Sequence, residues 1–272
     1  MRYAVLLMVA AAVATTGCGR LGRDPADCFV PDPDSDRYAR GLVLCLSGAG
    51  GMMGETGRIH QGLRRCGLPM AIEEFDWSTG LVLIDQLAYD ANRRKARALA
   101  RRVEAYQDAH PGRPVHLVGV SAGTGLVVWA LEDLAPERRV DSGCLIASSL
   151  WHRYDLTEAL EKVRGRVCCV CSPQDGVLGC LVPVFGTVDR INGLSGGLHG
   201  FEPPAEADAH TRGVYEAKLV HVAWERGDEA FGHDGGHLGA TSVRYVANRI
   251  GPFLDGRYDT EGRRALVIAQ AN

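Results

Sequence analysis

Val115-His116-Leu117-Val118-Gly119-Val120-Ser121-Ala122-Gly123 is the stretch on which the fold turns. An apolar run over 115–118 breaks into Gly-x-Ser-x-Gly, and a helix is expected to follow over 126–131. Strand, tight turn and helix in that order are what give this pentapeptide meaning. The turn strains the serine backbone, so small residues must stand two before and two after it. Gly119 and Gly123 meet that need, and the Ser121 hydroxyl is expected at the carboxyl end of a sheet, beside a helix N-terminus. A glycine-rich turn without chemistry is the plainer reading, because short motifs recur by chance. The rest of the chain must decide.

Outward from this point, strand and helix patterns alternate from Gly41 onward, which predicts a mostly parallel sheet covered by helices on both faces. Continuous apolar runs at 42–46, 144–147 and 167–171 read as buried strands, with shorter ones near 70–75 and 219–224. Helices are expected over 56–66, 91–110, 156–163 and 242–250, the last ending before Pro252. In the second of these, Ala96, Leu99, Ala100, Val103 and Tyr106 form an apolar stripe at the helical period, opposite a solvated arginine-rich face. Residues 178–212 are rich in Gly and Pro with little periodicity, a long irregular stretch of the sort that usually serves function.

A serine hydroxyl is a poor nucleophile until a base takes its proton and a third group orients that base. In a strand–turn–helix serine fold the chain order should be Ser, acid, His. Asp175 follows the 167–171 strand within Ser172-Pro173-Gln174-Asp175-Gly176, and Asp155 and Asp189 stand in reserve. After the last strand, Gly232-His233-Asp234-Gly235-Gly236-His237 offers two bases. His237 is preferred because it lies nearer the start of the closing helix. His233 and His237 are four apart with Asp234 between them, a spacing that invites a metal. Gly235 and Gly236 interrupt the helix that would align the rings, so no metal is expected. The developing oxyanion needs donors: the N–H of Ala122, and one from Ser47-Gly48-Ala49-Gly50-Gly51, where Ala49 is the first choice and Gly50 the next. This loop lacks the Lys-Ser or Lys-Thr ending of a phosphate loop, and no dinucleotide fingerprint follows a strand, so no cofactor is expected.

On these residues (42–51, 119–123, Gln174-Asp175 and Gly236-His237) the chain resembles the α/β-hydrolases over roughly 40–255. More narrowly it resembles exported serine hydrolases of planctomycete-type bacteria, through Tyr154-Asp155-Leu156, Phe185-Gly186-Thr187-Val188-Asp189 and Gly239-Ala240-Thr241-Ser242. The resemblance implies a single α/β-hydrolase domain over 41–272 that cleaves a carboxylic ester, of a lipid or a smaller acyl compound. The catalytic residues would be Ser121, Asp175 and His237. Many relatives carry His-Gly where this chain has Ser47-Gly48, a change the backbone donors do not depend on. Leu181, Val182, Val184, Phe185 and Phe201 are candidates for an apolar acyl pocket. The reading from another class is a non-catalytic envelope lipoprotein on the same scaffold.

Bulk properties narrow the partners. The 272 residues carry a formal charge of −3 and no basic run interleaved with aromatics, so nucleic acid is not an expected partner. Arg2 and the apolar residues 3–13 read as an export signal, too short for a spanning helix. Thr15-Thr16-Gly17-Cys18 resembles a bacterial lipobox, with Thr15 in place of the usual Leu, so Cys18 is the expected lipid attachment point. The expected organisation is therefore a signal over 1–18, a flexible tether over 19–40, and a domain exported and lipid-anchored to the cell envelope. Plain secretion after Ala12-Val13-Ala14 is the alternative. Cys168-x-x-Cys171 lies inside a strand, a poor place for a redox pair. The oligomeric state is not legible.

Overall fold

The computed structural model describes residues 23–51 and 53–256. The expected export signal and the expected lipid attachment point, Cys18, lie outside them. Seven strands form one sheet: β1 (Phe29–Val30), β2 (Leu42–Leu46), β3 (Ala71–Phe75), β4 (Val115–Val120), β5 (Ser142–Ile146), β6 (Val167–Cys171) and β7 (Leu219–Ala223). Their order is β1-β3-β2-β4-β5-β6-β7, parallel throughout except for antiparallel β1. After β2 the chain steps outward to β3, then crosses back to lay β4 on the other side of β2. That reversal is a topological switch point, where the loops after β2 and β4 diverge and leave a crevice at the carboxyl edge.

The helices named below are α1 (Glu55–Arg65), α2 (Val82–Leu87), α3 (Tyr89–Ala109), α4 (Gly123–Glu132), α5 (Thr157–Glu161), α6 (Gly176–Phe185), α7 (Gly196–His199) and α8 (Ala209–Lys218). Alternate strand residues feed two apolar cores, as period-two geometry requires. Leu42, Leu44 and Leu46 pack with Leu99 and Val103 of α3 and Leu126 and Trp129 of α4. Val43 and Cys45 face the other core, with Ile59 and Leu63 of α1 and Val246 and Ile250 near the C-terminus. Cys168 and Cys171 fall in opposite cores, so they cannot meet. Among the described residues no disulfide forms.

Three expectations need correction. Over 23–40 the supposed tether is folded onto the domain: β1 pairs with β3, Cys28 is buried, and Asp32 is 6% exposed. Asp32 is held by an ion pair with Arg64 and by the Ile72 N–H (2.8 Å), while the Tyr38 hydroxyl donates to Glu73 (2.8 Å). Polar composition suggested solvation, but these charges have protein partners. Residues 178–212 are also more regular than expected. Asp175 caps α6 through the Val177 and Leu178 N–H groups, and α7 and the start of α8 follow. The α6 period was hidden because apolar residues surround the helix while only Leu178 and Val182 are buried. Finally, the closing helix does not stop before Pro252. A π-turn over Val246–Ile250 leads into a last turn, Gly251–Leu254, with Pro252 in its first positions. The wider turn accommodates a ring that an ordinary helix ladder would exclude.

Candidate active site

Ser121 ends β4 with φ at +52°, a left-handed conformation uncommon for a residue with a Cβ. Ala147, at the end of neighbouring β5, is similar at +47°. Two such residues side by side at one sheet edge mark a strained site of the kind associated with function. The strain is held by bonds on every side. The Ser121 N–H donates to the Ile146 carbonyl (2.9 Å), and the Ser121 carbonyl accepts from Thr124 Oγ1 (2.6 Å), whose oxygen also meets Ser148 Oγ (2.7 Å). The two motif glycines are sterically required. A methyl group at Gly119 would lie 2.9 Å from the Gly123 carbonyl oxygen, and one at Gly123 would collide with the Ser47 carbonyl.

Across the switch point the loop after β2 comes close to the serine. A Cβ built on Gly48 would stand 3.1 Å from Ser121 Cβ and 3.7 Å from its Oγ. Trp77 Nε1 anchors this loop by donating to the Ser47 carbonyl (2.8 Å). Ala49, the next residue of this loop, is half-buried, while Ala122 is fully buried at the N-terminal end of α4.

On the other side, Asp175 and His237 are brought together. Asp175 is 2% exposed, and its two oxygens have separate tasks. Oδ1 accepts from the Val177 and Leu178 N–H groups (both 3.0 Å), and Oδ2 meets His237 Nδ1 at 2.7 Å. With the proton on Nδ1, the ring donates to the carboxylate and Nε2 is left as a proton acceptor. The two loops are stitched together where Ser172 Oγ donates to the Gly235 carbonyl (2.7 Å).

His233 is placed differently. It is 2% exposed, edge-on to Tyr245, and its Nδ1 accepts from the Gly235 N–H (3.2 Å). Burial pulls its pKa below the ordinary histidine value. The reserve acids are engaged elsewhere, Asp155 with Thr157 and Asp189 with the Trp151 N–H (3.0 Å). Val182 and Phe201, expected to line an acyl pocket, are buried in the two cores, whereas Val184 is exposed.

Two buried carboxylates at this site were not among the sequence candidates. Glu55 Oε1 accepts from the Gly48 N–H and Asp85 Oδ2 from the Gly50 N–H, both at 3.0 Å. The signal for Asp85 was present: an aspartate at the end of the apolar run Leu81-Val82-Leu83-Ile84, shortly after the hydroxyl donors Ser78 and Thr79. Gly50, the second choice as oxyanion donor, is therefore already committed.

No protein-family model matches this chain, and no curated protein sequence matches it. Solved structures do. Aspergillus fumigatus lipase B is 12% identical with a TM-score of 0.51, over 90% of this chain and 60% of its own, so this chain spans about three fifths of that lipase's length. Est1E from Butyrivibrio proteoclasticus is 12% identical, covering 84% of this chain and 93% of its own, with a TM-score of 0.47. A thermophilic esterase from Thermogutta terrifontis, Est2, is 15% identical over 89% of each chain, with a TM-score of 0.46. Likeness at such identities is likeness of architecture, and with the parallel sheet it identifies the α/β-hydrolase fold in this chain.

Proposed function

We propose that this protein is a serine hydrolase that cleaves a carboxylic ester with an apolar acyl group. The observation that carries the reading is the buried Asp175 bonded to His237 at the same sheet edge as a serine in a strained, glycine-flanked turn. Ser121 Oγ attacks the carbonyl carbon while His237 Nε2 takes its proton. The N–H groups of Ala49 and Ala122 stabilise the oxyanion, and Asp175 holds the imidazolium. The same proton then passes to the leaving alcohol, and water, activated by His237, releases the acid. No step calls for a cofactor.

The apolar acyl group follows from where the surface is apolar. Among the described residues, nine of the ten exposed large hydrophobic residues lie in the segments that follow the carboxyl ends of β2, β3 and β6: on α2, on α6, at Met53 and at Ile191 and Leu194. Val82 lies against Gly50, and Gln86 Nε2 donates to the Gly186 carbonyl (3.1 Å), joining the two banks of this collar. An apolar collar of this kind marks a binding surface. We place the protein outside the cytoplasm, lipid-anchored at Cys18, on the strength of its first eighteen residues; intact mass of the membrane-extracted protein reads the lipid directly.

The deciding experiment is fluorophosphonate labelling of the purified protein beside Ser121→Ala and His237→Ala. One adduct, absent in the serine variant and slow in the histidine variant, is expected. A folded wild-type protein that takes no label would leave the scaffold without catalysis.

A further inference from the structure

The loop over 47–51 has an unusual way of using its N–H groups. The Gly48 N–H is taken by Glu55, the Gly50 N–H by Asp85, and the Gly51 N–H by the Gly48 carbonyl (3.2 Å). The peptide that carries the Ala49 N–H therefore lies between two peptides pinned from outside the loop. Both pins are carboxylates with little access to water, Glu55 at 2% and Asp85 at 0% exposure. Burying a carboxylate is costly unless its oxygens are satisfied, and Asp85 is satisfied thoroughly. Oδ2 accepts from the Gly50 N–H and from Ser78 Oγ (2.6 Å). Oδ1 accepts from the Thr79 N–H (2.9 Å) and Thr79 Oγ1 (2.8 Å), with Lys95 Nζ 3.9 Å away. An aspartate that served only its own helix would cap that helix. This one joins three segments: the loop after β2, the loop after β3, and α2.

We propose that Asp85 is the positioning residue of the oxyanion loop. By holding the Gly50 N–H it fixes the peptide planes on one side of Ala49, as Glu55 does on the other, and leaves the Ala49 N–H as the donor for the substrate oxygen. The role rests on the catalytic reading of Ser121 above. It is a preorganisation role. Asp85 touches no reacting atom, and its effect reaches the chemistry only through the placement of one backbone donor.

Asp85→Asn tests it with little change of shape. With the amide oxygen in the Oδ1 place the Gly50 N–H faces an NH2 group; with it in the Oδ2 place the Thr79 N–H keeps only its longer bond (3.2 Å). In the full-length variant, hydrogen–deuterium exchange on peptides spanning 47–51 should accelerate while exchange over β5 and β6 stays unchanged. Ester hydrolysis should lose about 10²-fold in kcat with KM little moved, and the pH profile should be preserved because Asp175 and His237 are untouched. The ratio of ester to thionoester turnover should fall, since a sulfur anion depends less on the N–H donors; a merely structural defect lowers both rates together. Should Asp85→Asn fold poorly, Ser78→Ala strips the other donor from the same oxygen. It should show the same pattern at about threefold in kcat. Wild-type protein that takes no fluorophosphonate at Ser121 would overturn the catalytic reading. A labelled wild type whose Asp85→Asn variant keeps both its loop exchange and its ester-to-thionoester ratio would overturn the positioning role alone.

Discussion

Asp175 and Asp85 are both buried carboxylates, on opposite flanks of Ser121, and they are put to opposite uses. Asp175 gives one oxygen to the start of α6 and the other to the His237 ring. Asp85 gives both oxygens to peptide N–H groups and hydroxyls. A carboxylate facing a titratable ring can support a charge that appears and disappears during turnover. One whose hydrogen bonds all come from peptide N–H groups and hydroxyls, with the Lys95 ammonium fixed 3.9 Å away, holds a shape. The difference lies in the partner, since the side chain and its burial are the same.

The comparison breaks most visibly at Ser121, the proposed nucleophile. Ser121→Ala should lower kcat by about 10⁶-fold, to the level left by binding and the oxyanion donors, and should abolish fluorophosphonate labelling. Asp175→Asn should lower kcat by about 10⁴-fold through loss of the correct histidine tautomer. Asparagine caps helices as well as aspartate does, so the melting temperature read by circular dichroism should scarcely move. A collapse of stability with surviving activity would make Asp175 a purely structural residue.

A second contrast sets His237 against His116, a buried histidine at the far end of β4. His116 is 4% exposed with Nδ1 at 2.7 Å from Ser142 Oγ. Burial, partly offset by Asp141 and Asp255, pulls its pKa from 6.5 down to about 4. The unfolded chain therefore binds this proton more readily than the folded one between those values. The stabilisation is complete above about pH 6.5 and drains away as the pH falls toward 4, by about 3 kcal/mol in all. Urea titrations across that window should show the slope, and His116→Gln should flatten it. Gly123→Ala should cost about 1–3 kcal/mol in the same assay by overpacking against Ser47, and should slow turnover by displacing the oxyanion loop. The smallest effect is expected on the collar. Val184→Ser should reduce kcat/KM for an octanoyl ester about threefold to tenfold and leave an acetyl ester unchanged.

Legibility followed the range of the interactions involved. Ser121 could be read because its requirements are local: an apolar strand before it, glycines two away on each side, a helix after it. Asp175 and His237 could be named from their order in the chain and their place after β6 and β7. The preference for His237 over His233 rested on nearness to the closing helix; the structure separates them by burial and by the bond to Asp175. The folding of 23–40 against β3 was hidden, because Asp32 and Tyr38 read as solvated until Arg64 and Glu73 are brought to them. Pro252 misled for a related reason, since it follows a π-turn whose Val246 and Ile250 pack in one core with Ile59 and Leu63 of α1.

The sequence by itself determined the alternation of strands and helices, the strained serine turn and the chain order of the candidate residues. All of these depend on side-chain period, backbone sterics and neighbours within a few positions. Only the tertiary structure decided which N–H groups of the 47–51 loop are already spoken for. Asp85 reaches Gly50 across 35 residues and Glu55 reaches back to Gly48 from the following helix, so the free donor at Ala49 emerges only when β2, β3 and β4 lie side by side. A hydrogen bond's partner is set by distance in space, and no local pattern along the chain encodes it.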